Sequence, residues 1–267
     1  MEAVHATPAS WMAVAAYLYM LGLDSPGLAW EYLRRHPDYR QAWRRRCSDE
    51  HRADEWGLAQ WEDPALDARQ AHPVWLYPLA DQVMLRAEHE NIGTETLSFN
   101  LWAWQGRKQL RALEDGYALQ IWHASYILRA RYGTQSLLGQ SVTVTLPFDR
   151  RWKSRLRALQ RQRLSPRTGA TGARLPRLTG GIGKAYAPGR AKLLHLRALL
   201  ALDALQAGAS HRQIAIALVG EAQVRELWHA DATLRSLVRH YVRRGRYFRD
   251  GGYRQLLAAA PPAAGGP

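Results

Sequence analysis

The last quarter of the chain, Ala191 to Leu257, constrains the fold most, because three helical patterns with different faces follow one another there. The first is apolar at helical spacing, the second is short and opens on a serine, and the third is striped with arginine. If residues 232–248 form one helix at about 100° per residue, Arg235, Arg239, Arg243 and Arg246 fall within an arc of roughly 80°. Leu234, Leu237, Val238, Tyr241, Val242 and Phe248 gather on the other side, so one face packs and one is cationic. Upstream, Ser210 and Gln213 have the spacing of a capping box, and Gly208 is placed to stop the preceding helix. A short capped helix followed by a cationic one is the order of a helix-turn-helix DNA reader. The alternative is a helical bundle with a solvated basic face.

Charge separates the two. Net charge is +14, but residues 1–130 carry 13 Lys+Arg against 17 Asp+Glu, while residues 131–267 carry 24 against 6. The halves thus stand at −4 and +18, which points the second half at a polyanion, most commonly nucleic acid. A membrane surface would require an apolar face or a lipidation signal beside the cations, and neither is evident. The apolar run from Trp11 to Leu21 is shorter than the roughly 20 residues a bilayer requires. Met1 to Ser10 contain Glu2 and no Lys or Arg, unlike a signal peptide, so the run is expected to pack as an N-terminal helix or to precede the functional start. Cys47 is the single cysteine, which excludes an intramolecular disulfide and a multi-cysteine zinc site and suits a reducing, cytoplasmic, nucleoid-associated setting. None of the ten histidines forms an H-x₃-H pair with nearby carboxylates, so neither a metal nor a cofactor is expected.

Motifs that suggest catalysis fail on detail. Gly180-Gly181-Ile182-Gly183-Lys184 lacks the first glycine of a phosphate loop, where Leu178 stands, and its Ser/Thr, where Ala185 stands. His240-Tyr241-Val242-Arg243 has the H-x-x-R spacing of tyrosine recombinases, but Tyr247 lies within two helical turns of His240 and leaves little room for a scissile phosphate. The six carboxylates of the basic half are scattered, not clustered in twos or threes as a metal-dependent nuclease requires. No enzyme activity is expected.

The expected fold is α+β: a small N-terminal helical module, a short antiparallel sheet and a C-terminal helix-turn-helix domain. Residues 1–62 are the helical module, interrupted at Pro37, with Trp30, Leu33, Tyr39 and Trp43 as anchors and Arg34, Arg35, Arg40 and Arg44 as further DNA contacts. Residues 63–82 connect. Residues 83–164 hold short alternating runs at Val83–Arg86, Leu97–Leu101, Ala118–Trp122, Tyr126–Arg131 and Ser141–Leu146, and then a basic helix. A flexible basic loop follows at 165–189, the DNA-binding region at 190–258 and a disordered tail at 259–267.

Ala29-Trp30-Glu31-Tyr32-Leu33-Arg34-Arg35-His36-Pro37-Asp38-Tyr39-Arg40 resembles the W-E-[FY]-L-R-R-N-P-x-Y opening of a small transcriptional-regulator-like module. Leu196-Arg197-Ala198-Leu199, Gly208 to Ala215, Arg243 to Arg246 and Gly251 to Leu257 resemble a helix-turn-helix family of proteobacteria known as a domain of unknown function. Fused pairs of such modules are similar to transcriptional activators of integrative and conjugative elements, which switch on excisionase and transfer genes. The chain departs from that pattern at His36, where Asn is usual, and in the long gap from Val219 to Asp231.

The expected reader is the arginine helix in or against the major groove. Arg235, Ser236, Arg239, His240, Arg243 and Arg246 face DNA, while Ser210, Arg212 and Gln213 set the backbone register. Glu221 to Trp228 is the rival helix, but Glu221 and Glu226 outweigh Arg225. Expected partners are double-stranded DNA and, through the N-terminal module, RNA polymerase or a small antiactivator protein. The alternatives are an antiactivator or adaptor that meets an acidic protein, and an architectural excision factor without transcriptional activity.

Overall fold

Two residues start the first helix for separate reasons. Asp24 Oδ1 accepts from the Gly27 N–H (2.9 Å), and Pro26 sits in the first turn, where its missing N–H is not needed. This helix, α1, spans Ser25–Leu33 in the computed structural model, which describes residues 13–46, 52–77, 79, 82–88, 99–104, 106–123, 126–146, 152, 156, 189–228 and 232–257. A 3₁₀ helix at Val14–Gly22 precedes it, with Tyr17 and Met20 buried. The chain breaks before Pro37 as its sequence dictates, and α2 runs Pro37–Arg44. His36 Nδ1 accepts from the Asp38 N–H at 3.1 Å, so the imidazole caps α2 as an asparagine would.

The C-terminal helices are α3 (Arg190–Gln206), α4 (His211–Val219), α5 (Glu221–Leu227), α6 (Ala232–Tyr247) and α7 (Tyr253–Leu257), with a π turn at Phe248–Gly252. Gly208 takes φ +81° just beyond α3, where a side chain would be strained. The capping box forms in both directions: Gln213 N–H donates to Ser210 Oγ (3.3 Å) and Ser210 N–H to Gln213 Oε1 (2.8 Å). Gly220, at φ +93°, is the single residue between α4 and α5.

The chain divides into two units, each described by itself. One comprises Met1–Arg52, Trp61–Pro73 and Ile182–Leu257. Residues 1–52 of the module expected at 1–62 therefore share a unit with the helices of the region expected at 190–258, while Ala53–Gln60 fall in the other unit, and a buried ionic network joins the two sets of helices. The Arg35 guanidinium, just beyond α1, donates to Asp203 Oδ1 (2.6 Å) and Oδ2 (2.8 Å) on α3 and to Glu31 Oε2 (2.5 Å) on α1; the Tyr17 hydroxyl donates to Asp203 Oδ2 (2.8 Å). The Arg35 charge beside them holds both carboxyls below the usual carboxylate range despite burial. Trp30, Tyr32 and Leu33 are wholly buried, each contributing about 1.5–3 kcal/mol of apolar burial. The segment expected as a connector is also engaged here. Trp30 Nε1 donates to Leu66 O (3.0 Å) and Ala68 N–H to Glu31 Oε1 (2.8 Å), and just before the segment the Tyr39 hydroxyl donates to Glu62 O (2.6 Å).

The second unit comprises Ala53–Gln60, Val74–Gly181 and Ala258–Pro267 and contains a five-stranded sheet. The strands are β1 (Gln82–Glu88), β2 (Arg107–Leu113), β3 (Gly116–His123), β4 (Tyr126–Tyr132) and β5 (Ser141–Thr145), in the order β2-β3-β4-β1-β5. The sheet is mixed rather than wholly antiparallel, because β1 pairs with β4 in parallel from Gln82↔Arg129 to Met84↔Arg131. Alternation reports which face a residue takes but not the direction of the neighbouring strand. Two further differences follow. Arg107–Leu113 is a strand, masked in sequence by its charges, and the run expected at 97–101 enters a 3₁₀ turn at Leu101–Ala103. Its first two residues lie outside the described ones. Val83, Leu85, Leu119, Ile121, Leu128 and Ala130 build the core on one face beneath Phe99 and Leu137.

Of the expected basic helix, Trp152 and Leu156 are described, both helical. The loop at 165–188, Asp231 and the tail at 259–267 lie outside the described residues.

Candidate nucleic-acid interface

The arginine helix divides as its periodicity requires. Leu234, Val238, Tyr241 and Val242 of α6 are buried with Ile214 and Ala215 of α4, Val224 of α5 and Ala201 and Ala204 of α3. Arg235, Ser236, Arg239, His240, Arg243 and Arg246 are exposed. Gly245 lets α6 lie close on α3: a Cβ there would stand 2.7 Å from the Ala198 carbonyl oxygen. The same face that packs thus fixes the direction in which the cations project.

The start of α4 meets that cationic face. His211, Arg239, Val242, Arg243 and Arg246 line one open concavity of about 260 Å³. Ser210, Arg212 and Gln213 are exposed at its α4 side, with Ser210 Oγ and Gln213 Oε1 engaged in the cap. Arg239 Nη2 donates to Ser236 Oγ at 3.3 Å, which holds the guanidinium along the helix. His240 is exposed beside Tyr241, off the arginine arc, and lines no part of the concavity. On α5, Glu221 pairs with Arg225 across one turn (3.2 Å), and Glu226 is exposed beside them, so this helix presents a net acidic surface rather than a cationic one.

The N-terminal arginines differ in what they can reach. Arg35 is 5% exposed and holds two carboxylates, so the DNA contact expected of it is corrected: its guanidinium faces inward. Arg34 pairs with Glu31 (2.7 Å) and donates to Pro64 O (3.2 Å), and Arg40 Nε donates to Arg34 O (2.8 Å). Both are half-buried inside the module, while Arg44 is exposed.

Sequence reasoning did not single out Arg244 or Arg197. Arg244 stacks over the Phe248 ring (4.9 Å) with Nη2 3.5 Å from His195 Nε2, and His195 Nδ1 meets the Tyr32 hydroxyl at 3.0 Å. Burial, then the Arg244 charge, push the His195 imidazole down to about 4. Arg197 Nη1 donates to the Tyr241 hydroxyl (3.1 Å). Arg244 lies 100° from Arg243 on the helix, and that angle is the signal that it leaves the cationic arc.

Residues 145–258 match the family model described as T6SS, transcription factor, DNA-binding domain. Residues 10–61 match the proteobacterial transcriptional regulator-like domain. The chain joins a regulator-like domain to a transcription-factor DNA-binding domain. It is a DNA-binding transcription regulator, and the expected two-module organisation is borne out. Strands β1 to β4 lie between the two matches. No curated protein is matched. Among the described residues no helix is long and apolar enough to cross a membrane, and no three His, Cys, Asp or Glu side chains gather as metal ligands do.

Proposed function

We propose that this regulator is a sequence-specific activator that reads DNA with a helix-turn-helix arrangement in which α6 enters or lies against the major groove. The observation that carries the reading is the concavity where His211 faces Arg239, Arg243 and Arg246. A bundle with a solvated basic face has no need to aim three guanidiniums at the start of a second helix. Here two elements can engage one duplex, α6 through its cations and α4 through its free N–H groups. Arg235, Ser236, Arg239 and Arg243 are assigned to base edges, and Arg246 and Arg212 to phosphates. An arginine fork on guanine O6 and N7 is worth about 1–3 kcal/mol of discrimination. Recruitment of RNA polymerase is assigned to the N-terminal module, with Arg44 on its outer surface.

The reading makes the protein a cytoplasmic, nucleoid-associated regulator that catalyses no reaction. Excision and transfer genes of an integrative and conjugative element are the proposed targets, on the strength of the two-module resemblance. The C-terminal family, described as a T6SS transcription factor, favours a second target set, type VI secretion genes. Footprinting the purified chain on the DNA flanking its own gene and on both promoter classes tests this. A protected site is expected, weakened by salt, with selectivity reduced about tenfold or more in Arg239→Ala. Undiminished selectivity in that variant would sink the assignment of α6.

A further inference from the structure

The sheet unit holds a crevice that the DNA-reading function does not use. Strands β1 and β4 are parallel, so their carboxyl ends point the same way, but pairing stops at Met84↔Arg131 while β1 runs on to Glu88 beside β5 alone. Where two parallel neighbours part at their carboxyl ends, a crevice opens outside the sheet, the position at which open sheets take ligands. Here it measures about 490 Å³, a volume ordinary for a small-molecule site.

Its lining has two characters. Leu85, Tyr117, Tyr132 and Leu137 form an apolar wall, with the two tyrosine rings stacked at 5.2 Å. Arg86 and Arg131 stand on the polar side with Asp115. Arg86 is exposed and has no carboxylate partner among the described residues. Arg131 Nη2 donates to Trp75 O (3.1 Å) and Leu76 O (2.8 Å), yet its Nε is buried without a hydrogen-bond partner. Arg131 thus lines the crevice with hydrogen-bonding capacity that its own contacts leave unfilled. Burial and the neighbouring Tyr117 push the Tyr132 phenol up, so it stays a neutral donor. A second, apolar cavity of about 250 Å³ shares Tyr117, Tyr132 and Leu137 and continues to Phe99, Leu110 and Leu119.

We propose that this crevice binds a small amphipathic anion, an aromatic or aliphatic carboxylate whose head sits on Arg86 and Arg131 and whose body lies along Tyr117, Tyr132 and Leu137. Two arginines suit a carboxylate because each offers a fork of donors, and the adjoining apolar cavity accepts the length of the body. Asp115 repels a second negative group and so favours a single acidic head.

The test is a titration of the full chain with 8-anilinonaphthalene-1-sulfonate, an apolar anion whose fluorescence reports burial. Saturable binding is expected, displaced by phenylacetate and by octanoate but not by neutral benzyl alcohol. Arg86→Ala should weaken it about tenfold, the cost of one charge-assisted contact. Thr134→Trp, a substitution at an exposed residue lining both cavities, should abolish it. Dye binding unaltered in both variants, or displaced equally by benzyl alcohol, would overturn the proposal. Binding of promoter DNA by the same preparations reports on folding and stands apart from the outcome.

Discussion

At the scale of single residues, His195 shows how a side chain that sequence leaves unremarkable becomes consequential. It is 6% exposed, between the Tyr32 hydroxyl and Arg244, and its proton affinity is depressed to about 4 from 6.5. Between those values the unfolded chain binds a proton that the folded chain refuses, so stability falls as pH drops through that window. The loss reaches about 3 kcal/mol at the lower end. Glu31 and Asp203, depressed by Arg35, add their own loss only below the ordinary carboxylate range. Urea denaturation across pH 7 to 4 is expected to show the histidine limb in the native chain and a flatter one in His195→Gln. An equally steep limb in the variant would remove the assignment. The exposed arginines of α6 were legible one by one because helical angle and exposure coincide there. Arg35 was not, since its i, i+3 and i+4 neighbours could not reveal a carboxylate on α3.

Among elements, the crossing of α6 on α3 decides where the cations point. Gly245 is the contact residue, and the atom it approaches is a backbone oxygen that cannot turn aside. Gly245→Ala should therefore cost about 1–3 kcal/mol and lower DNA affinity although no charge is lost, measured by thermal denaturation and fluorescence anisotropy. Unchanged stability would mean the two helices have room to spare. The helices themselves were readable: α6 and the cap of α4 form where propensity, periodicity and capping agree. The sheet was readable only in part. β2 carries Arg107, Lys108 and Arg111, as an edge strand tolerates, and its charges hide the alternation. The parallel pairing of β1 with β4 joins residues far apart in sequence and leaves no local mark.

For the whole chain, the helices α1 and α2 of the regulator-like match and α3 to α7 of the DNA-binding match, far apart in sequence, meet in one unit through Arg35, Asp203, Glu31 and Tyr17. Removing one member of a buried ion pair leaves its partner's charge uncompensated. Asp203→Asn should cost on the order of 3 kcal/mol, moderated by the Glu31 that Arg35 retains. Hydrogen exchange should then show α1 and α6 losing protection together; loss confined to α3 would argue that the domains are energetically separate. By itself the sequence determined what is local or summed: the caps, the division of α6 into two faces, the break at Pro37 and the charge imbalance between halves. These depend on residues within about a turn of one another, or on composition alone. Only the tertiary structure decided that Arg35 turns inward, that His211 faces three arginines, and that a crevice opens between β1 and β4. Each rests on partners brought together from distant parts of the chain, Arg35 and Asp203 from 168 positions apart, and no periodicity encodes such a meeting.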